Sequence, residues 1–173
     1  MNTYVAFLRG INVGGNTMLS MKDLATICTR IGFMDVRTYI NSGNVIFKSS
    51  LPEDNLQAAL EKELLGKTGT EIGVVVRNTN DLERVVKNNP FPGAVPSQVG
   101  VMLVMEPIAK NAREEFVIPG KEEVVPGNRE VYVYYPDGMG RSKLKWPASL
   151  RNGTMRNINT LSKLVSLGAE GFQ

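Results

Sequence analysis

A chain of 173 residues is long enough for one ordinary domain or for two small ones sharing a core. Its 42% hydrophobic and 21% charged content argues against a disordered or fibrous chain, and its apolar runs, such as 74–76 and 101–105, are too short to cross a bilayer. A single cysteine excludes an internal disulfide, while the absence of histidine excludes a conventional zinc site, a Ser-His-Asp triad and a Cys-His pair.

Met1-Asn2-Thr3 lacks a basic leader and Arg9 interrupts the first apolar stretch, so no secretory signal is read and a cytoplasmic protein is expected. The net charge of +3 is unevenly spread: residues 1–50 carry +3, residues 51–140 carry −5 and residues 141–173 carry +5. Basic ends around an acidic middle point to a phosphate-bearing partner, with a solvated basic tail as the plain alternative.

Residues 4–8 read as a buried strand, followed by a glycine-rich loop and a helix of about eleven residues. Ser20 with Asp23 makes its N-terminal box, Gly32 closes it, and Cys28 lies on its packing face as a small hydrophobe. Strands 36–40 and 44–48 follow, joined by the Asn41-Ser42-Gly43 turn of a hairpin. Pro52 opens a second helix that Gly66 stops, and strand 72–76 completes the order β-α-β-β-α-β of a ferredoxin-like unit.

Residues 79–173 read as a second, looser α+β subdomain after a first subdomain of residues 1–78. A short helix near Asn80 precedes a strand at 99–105 and a helix running from Pro107 to about Phe116. A second hairpin pairs 122–125 with 130–135 around Pro126-Gly127-Asn128. A short helix follows Lys145, and the chain closes with a helix over 157–167.

Three segments carry candidate chemistry. The loop Arg9-Gly10-Ile11-Asn12-Val13-Gly14-Gly15 follows a strand and precedes a helix, where backbone amides can line an anion site beside Arg9 and Asn12. It has neither the dinucleotide fingerprint nor a Walker A ending, and a simple crossover turn competes with the functional reading. In Tyr135-Pro-Asp-Gly-Met-Gly-Arg-Ser-Lys143, Gly140, Ser142 and Lys143 would form a phosphate cradle at a helix start, or else an ordinary hairpin exit. In the last helix, Arg156, Asn159, Thr160 and Lys163 would share one polar stripe, with Asn157 on either rim.

Other chemistries have less behind them. The element order is also that of the RNA-recognition module, yet no Lys/Arg-Gly-Phe-Gly/Ala-Phe run is present, and Phe7 and Phe47 read as core. Trp146 reads as a hydrophobic anchor. Glu114-Glu115 and Glu122-Glu123 read as exposed charge rather than as an acid/base pair.

Taken together, Leu8-Arg-Gly-Ile-Asn-Val-Gly-Gly15, Tyr39-Ile-Asn-Ser-Gly-Asn-Val-Ile-Phe47, Val75-Val-Arg77, Asn89-Pro-Phe91, Tyr135-Pro-Asp-Gly-Met-Gly-Arg-Ser-Lys-Leu144 and Thr154-Met-Arg-Asn-Ile-Asn-Thr160 resemble the bacterial domain-of-unknown-function family numbered 1697. The resemblance runs in order along the chain and implies two α+β subdomains of ferredoxin-like type, with no activity to transfer. Two departures stand out: Asn16 replaces a lysine often found after the double glycine, and Ile158 replaces a bulky aromatic.

The expectation is an α+β protein that binds an anionic, phosphate-bearing small molecule or nucleotide in a basic cleft between the subdomains. Arg9, Lys143 and Arg156 would supply charge, Asn12, Asn44, Ser142 and Asn157 would orient the ligand, and Gly14, Gly15 and Gly140 would admit backbone amides. One alternative is an enzyme on such a ligand with Lys143 or Tyr135 moving a proton. Another is a module that docks an acidic partner or a nucleic-acid backbone.

Overall fold

The computed structural model describes residues 1–12, 17–40 and 43–170. Among these residues it is an α+β protein with four helices and two four-stranded antiparallel sheets. The chain divides into two compact units, Met1–Leu82 with Leu164–Gln173, and Glu83–Lys163. This division falls four residues after the expected boundary at 78 and returns the last turns of the chain to the first unit.

The first unit runs β1 (Asn2–Leu8), α1 (Met21–Arg30), β2 (Met34–Tyr39), β3 (Asn44–Ser49), α2 (Glu53–Thr68) and β4 (Val74–Asn78). Its sheet order, β2-β3-β1-β4, with every pair antiparallel, is the ferredoxin-like arrangement that the sequence order implied. Alternation along β1 sends Tyr4, Ala6 and Leu8 to one face, where Val45, Phe47, Val74 and Val76 meet Leu24, Ile27 and Cys28 of α1 and Leu56, Leu60 and Leu64 of α2. Phe33 stacks on Phe47 with ring centres 4.0 Å apart.

Ser20 caps α1 as expected, its hydroxyl accepting from Asp23 N at 3.0 Å. The second helix does not stop at Gly66. It runs to Thr68, because Gly66 faces open space and Gly69, at φ +73°, supplies the left-handed cap that donates to Leu65 O.

The opposite face of this sheet is buried as well, through Val5, Phe7, Ile46 and Val75 together with two polar side chains, Asn44 and Arg77. A sheet buried on both faces accounts for the near-continuous apolar runs of β1, β3 and β4. The last turns of α4 (Ile158–Ala169) belong here: Arg37 donates to Leu167 O at 3.4 Å and lies 3.8 Å from Glu170.

The second unit is built on β5 (Val99–Leu103), β6 (Glu123–Pro126), β7 (Glu130–Tyr134) and β8 (Thr154–Asn157), in the order β6-β7-β5-β8. One helix, α3 (Thr79–Lys87), leads into it, and Tyr132 donates to Val85 O at 2.6 Å. The other face of the sheet packs Val104, Phe116, Val124, Val131, Val133, Tyr135 and Leu150 into one core, with Trp146 edge-on to Phe116 at 5.0 Å.

Three expectations fail in this unit. The helix from Pro107 to Phe116 is absent. A single 3-10 turn, Ala112–Glu115, takes its place, because Ile108 N donates to Asn128 O at 2.7 Å and that segment bonds away from itself. The short helix after Lys145 is likewise only a 3-10 turn, Ala148–Leu150. Finally, the closing helix is present as α4 from Ile158, with Asn157 Oδ1 accepting Thr160 N at 2.9 Å, but Arg156 is not on its stripe: residues 154–157 form an edge strand on β5. Among the described residues no helix is long and apolar enough to cross a membrane.

Candidate functional site

Two of the sequence-predicted segments meet at one end of the first sheet. The last residues of β1 are tied on both sides, Leu8 N donating to Gly43 O and Arg9 N donating to Gly73 O, each at 2.9 Å. Register pairs Phe7 with Asn44, so Arg9 and Asn44 stand at neighbouring ends of β1 and β3. Gly43 is pressed so closely against Leu8 and Ile11 that an added Cβ would lie 2.9 Å from each.

Four residues of this rim adopt left-handed backbone: Gly10 at φ +66°, Asn12 at +56°, Ile40 at +50° and Gly43 at +83°. For a β-branched residue such as Ile40 that conformation is a real outlier, and strain of this kind collects at functional sites. Arg9 is exposed here, and among the described residues no carboxylate lies within ion-pairing distance of it.

The two asparagines brace the rim. Asn12 accepts from Leu19 N at 2.8 Å and donates to Leu19 O at 2.7 Å, while its own N–H donates to Thr17 O. Asn44 is fully buried and donates to Tyr39 O at 3.0 Å. Gly14 and Gly15, expected to admit a ligand to backbone amides, lie outside the described residues, as do Asn41 and Ser42 of the hairpin turn.

In the second unit the remaining candidates separate. Gly138 to Lys143 is not a helix start: the only helical turn is the 3-10 turn Met139–Arg141, and Ser142 and Lys143 follow it. Ser142 donates to Glu122 Oε1 at 2.8 Å and accepts from Leu144 N, so its hydroxyl already faces a carboxylate. Gly140 and Lys143 are exposed.

Arg156 is on the other side of the sheet. Met155, Met139 and Tyr135 crowd over Gly100 on one face, and Arg156, the next residue on β8, pairs with Val101 and points to the opposite one. There it donates to Thr154 Oγ1 at 2.7 Å and to Met155 O at 2.8 Å, and burial pulls its guanidinium down to about 10. Arg156 therefore does not share a hollow with Ser142, nor a helical stripe with Asn159 and Lys163. Asn157 is the cap of α4.

The proton-transfer candidates fare unevenly. Tyr135 is buried, and burial, reinforced by the charge of Glu122, pushes its phenol up to about 12. It therefore stays neutral at physiological pH and is a poor base. Cys28 is buried too, its thiol pushed up to about 12 by desolvation, which makes it inert as a nucleophile.

Two polar residues escaped the sequence reading. Glu122 is half-buried rather than exposed, and its Oε2 finds no hydrogen-bond donor among the described residues. Its two-residue offset from Val124 signalled the inward face. Arg77 is fully buried, with Nε 3.3 Å from Asp81 Oδ2 and Nη1 donating to Val76 O. The i,i+4 spacing of an arginine and an aspartate across a strand–helix junction was its only trace.

A family model described as a protein of unknown function, DUF1697, matches residues 1–132. The chain belongs to the DUF1697 family. The match covers the rim segments around Arg9 and Asn44 and ends before Tyr135–Leu144 and Thr154–Thr160. A solved structure of similar fold is that of SP0830, a conserved bacterial protein from Streptococcus pneumoniae. It is 22% identical over 96% of this chain and 98% of that one, with a TM-score of 0.78. At this identity the likeness shows the fold alone. Comparison with curated proteins gives no match.

Proposed function

We propose that this DUF1697 protein binds an anionic, phosphate-bearing small molecule at the glycine-rich end of its first sheet. One observation carries the reading: an exposed arginine with no ion-pair partner among the described residues stands where four left-handed residues gather, within the stretch covered by the family model. Arg9 would give a phosphate its fork of donors, and the braces at Asn12 and Asn44 would hold the rim open without rearrangement. Ser142 and Arg156 are left out of this site, the first because it faces Glu122 and the second because its guanidinium donates to Thr154 Oγ1 and Met155 O. A cytoplasmic location fits a phosphometabolite ligand and a single reduced thiol, Cys28.

A thermal-shift screen of nucleotides and sugar phosphates tests the proposal. A ligand at a hundred times its dissociation constant adds about 2.7 kcal/mol of stability. Arg9→Gln should abolish that gain while leaving the unliganded melting temperature unchanged. Equal stabilisation of the wild type and Arg9→Gln would refute the site.

A further inference from the structure

Arg141 closes the 3-10 turn Met139–Arg141; Ser142 is extended, at φ −71° and ψ 137°, and burial alternates from there to Trp146. Ser142, Leu144 and Trp146 turn inward, Ser142 onto Glu122 and the other two onto the core of the second unit. Arg141, Lys143 and Lys145 are exposed between them. On extended backbone, alternate side chains such as those of Lys143 and Lys145 project to the same side about 6.6 Å apart. The stretch is held in place by the Ser142–Leu144 bond at 3.2 Å and by two backbone bonds between Lys145 and Val117, at 2.9 and 3.1 Å.

Among the described residues no carboxylate lies within ion-pairing distance of Arg141, Lys143 or Lys145. In sequence, the 32 residues 138–169 hold six Lys/Arg and no Asp/Glu. Ordinary protein surfaces intersperse the two signs, since a row of like charges repels itself. Here it is presented on anchored backbone.

We propose that Arg141, Lys143 and Lys145 dock the phosphodiester backbone of single-stranded nucleic acid, without regard to base sequence. The phosphates of an extended single strand recur along a chain; Lys143 and Lys145 are likewise exposed at alternate positions of theirs, with Arg141 beside them at the end of the 3-10 turn. The carboxylates of an acidic peptide sit on flexible side chains that must be ordered first, and an anionic membrane would call for a cluster of apolar anchors, where this stretch is flanked by exposed Val117 alone. The one nearby tryptophan, Trp146, is committed to Phe116, so bases find no stacking platform and go unread. This surface is independent of the site at Arg9, which belongs to the other unit.

Fluorescence anisotropy with a short labelled single-stranded oligonucleotide of mixed sequence tests it. Three phosphate contacts on a single strand give a slope of about −2 in log affinity against log salt, or roughly 20-fold weaker binding from 50 to 200 mM. The variant Arg141→Gln/Lys143→Gln/Lys145→Gln should lose that binding. A control set of equal charge, Lys22→Gln/Lys62→Gln/Lys67→Gln, alters exposed helix cations of the first unit and should keep it, as should Lys143→Arg. No binding at low salt, equal loss in the control set, a strong preference for one base sequence, or equal affinity for polyglutamate of matched charge would each overturn the proposal.

Discussion

Ser142 and Glu122, twenty residues apart in the chain, are joined by a 2.8 Å hydrogen bond in which the serine hydroxyl donates to Oε1. The bond pins the segment after Gly138 to the entrance of β6 and places a carboxylate where the sequence pattern invited a phosphate. Ser142→Ala should therefore cost stability, about 1–2 kcal/mol by urea denaturation, because a half-buried carboxylate loses a donor. In a double-mutant cycle with Glu122→Gln the two changes should be non-additive; full additivity would show that the bond contributes nothing.

Tyr135 gives a pH signature. Its folded-state phenol ionises at about 12, against an ordinary value of 10, so the folded chain holds this proton more tightly than the unfolded one. That contribution is complete below pH 10 and is lost as pH rises towards 12. Unfolding measured across this range should show the wild type losing stability faster than Tyr135→Phe. Parallel curves would mean that Tyr135 ionises normally.

Arg77 and Asp81 form a largely buried ion pair. Arg77 has 0% side-chain exposure and Asp81 14%. Asp81→Ala removes the carboxylate facing a guanidinium that has no access to water, and should destabilise by about 3–5 kcal/mol. Arg77→Met, which removes the charge and keeps much of the volume, should cost less. Chemical denaturation of the two variants reads the difference, and the reverse order would disprove this account.

Gly43 and Gly73 make a matched comparison at the rim. A Cβ at Gly43 would sit 2.9 Å from Leu8 and Ile11 on backbone at φ +83°, whereas one at Gly73 would make only a 3.9 Å contact with Arg9. Gly43→Ala should lose about 2 kcal/mol or more through strain and overpacking, and Gly73→Ala less than 1 kcal/mol. Melting temperatures of the two variants check this.

Local pattern carried most of the first unit. Near-continuous apolar runs in residues 4–8 and 44–48, helical spacing at Leu24 and Cys28, and the Ser20 cap are all short-range signals, and with the turn residues between them they suggested the β-α-β-β-α-β order. Where neighbouring chain outbid local preference, sequence failed. Pro107 was a fair helix start until Asn128 claimed the amide of Ile108, and residues 154–157 carried helical spacing until β5 offered them a ladder.

The site divides the same way. Sequence alone determined which residues were charged, which turns needed glycine, and that Arg9 ended a buried strand. Only the tertiary structure decided which of them meet: it set Asn44 beside the Arg9 rim, turned Arg156 to the far face of its sheet from Met155, and closed Ser142 onto Glu122. The physical reason is that strand register determines the face a side chain takes. A shift of one residue reverses that face, and register is set by contacts between segments far apart in the chain.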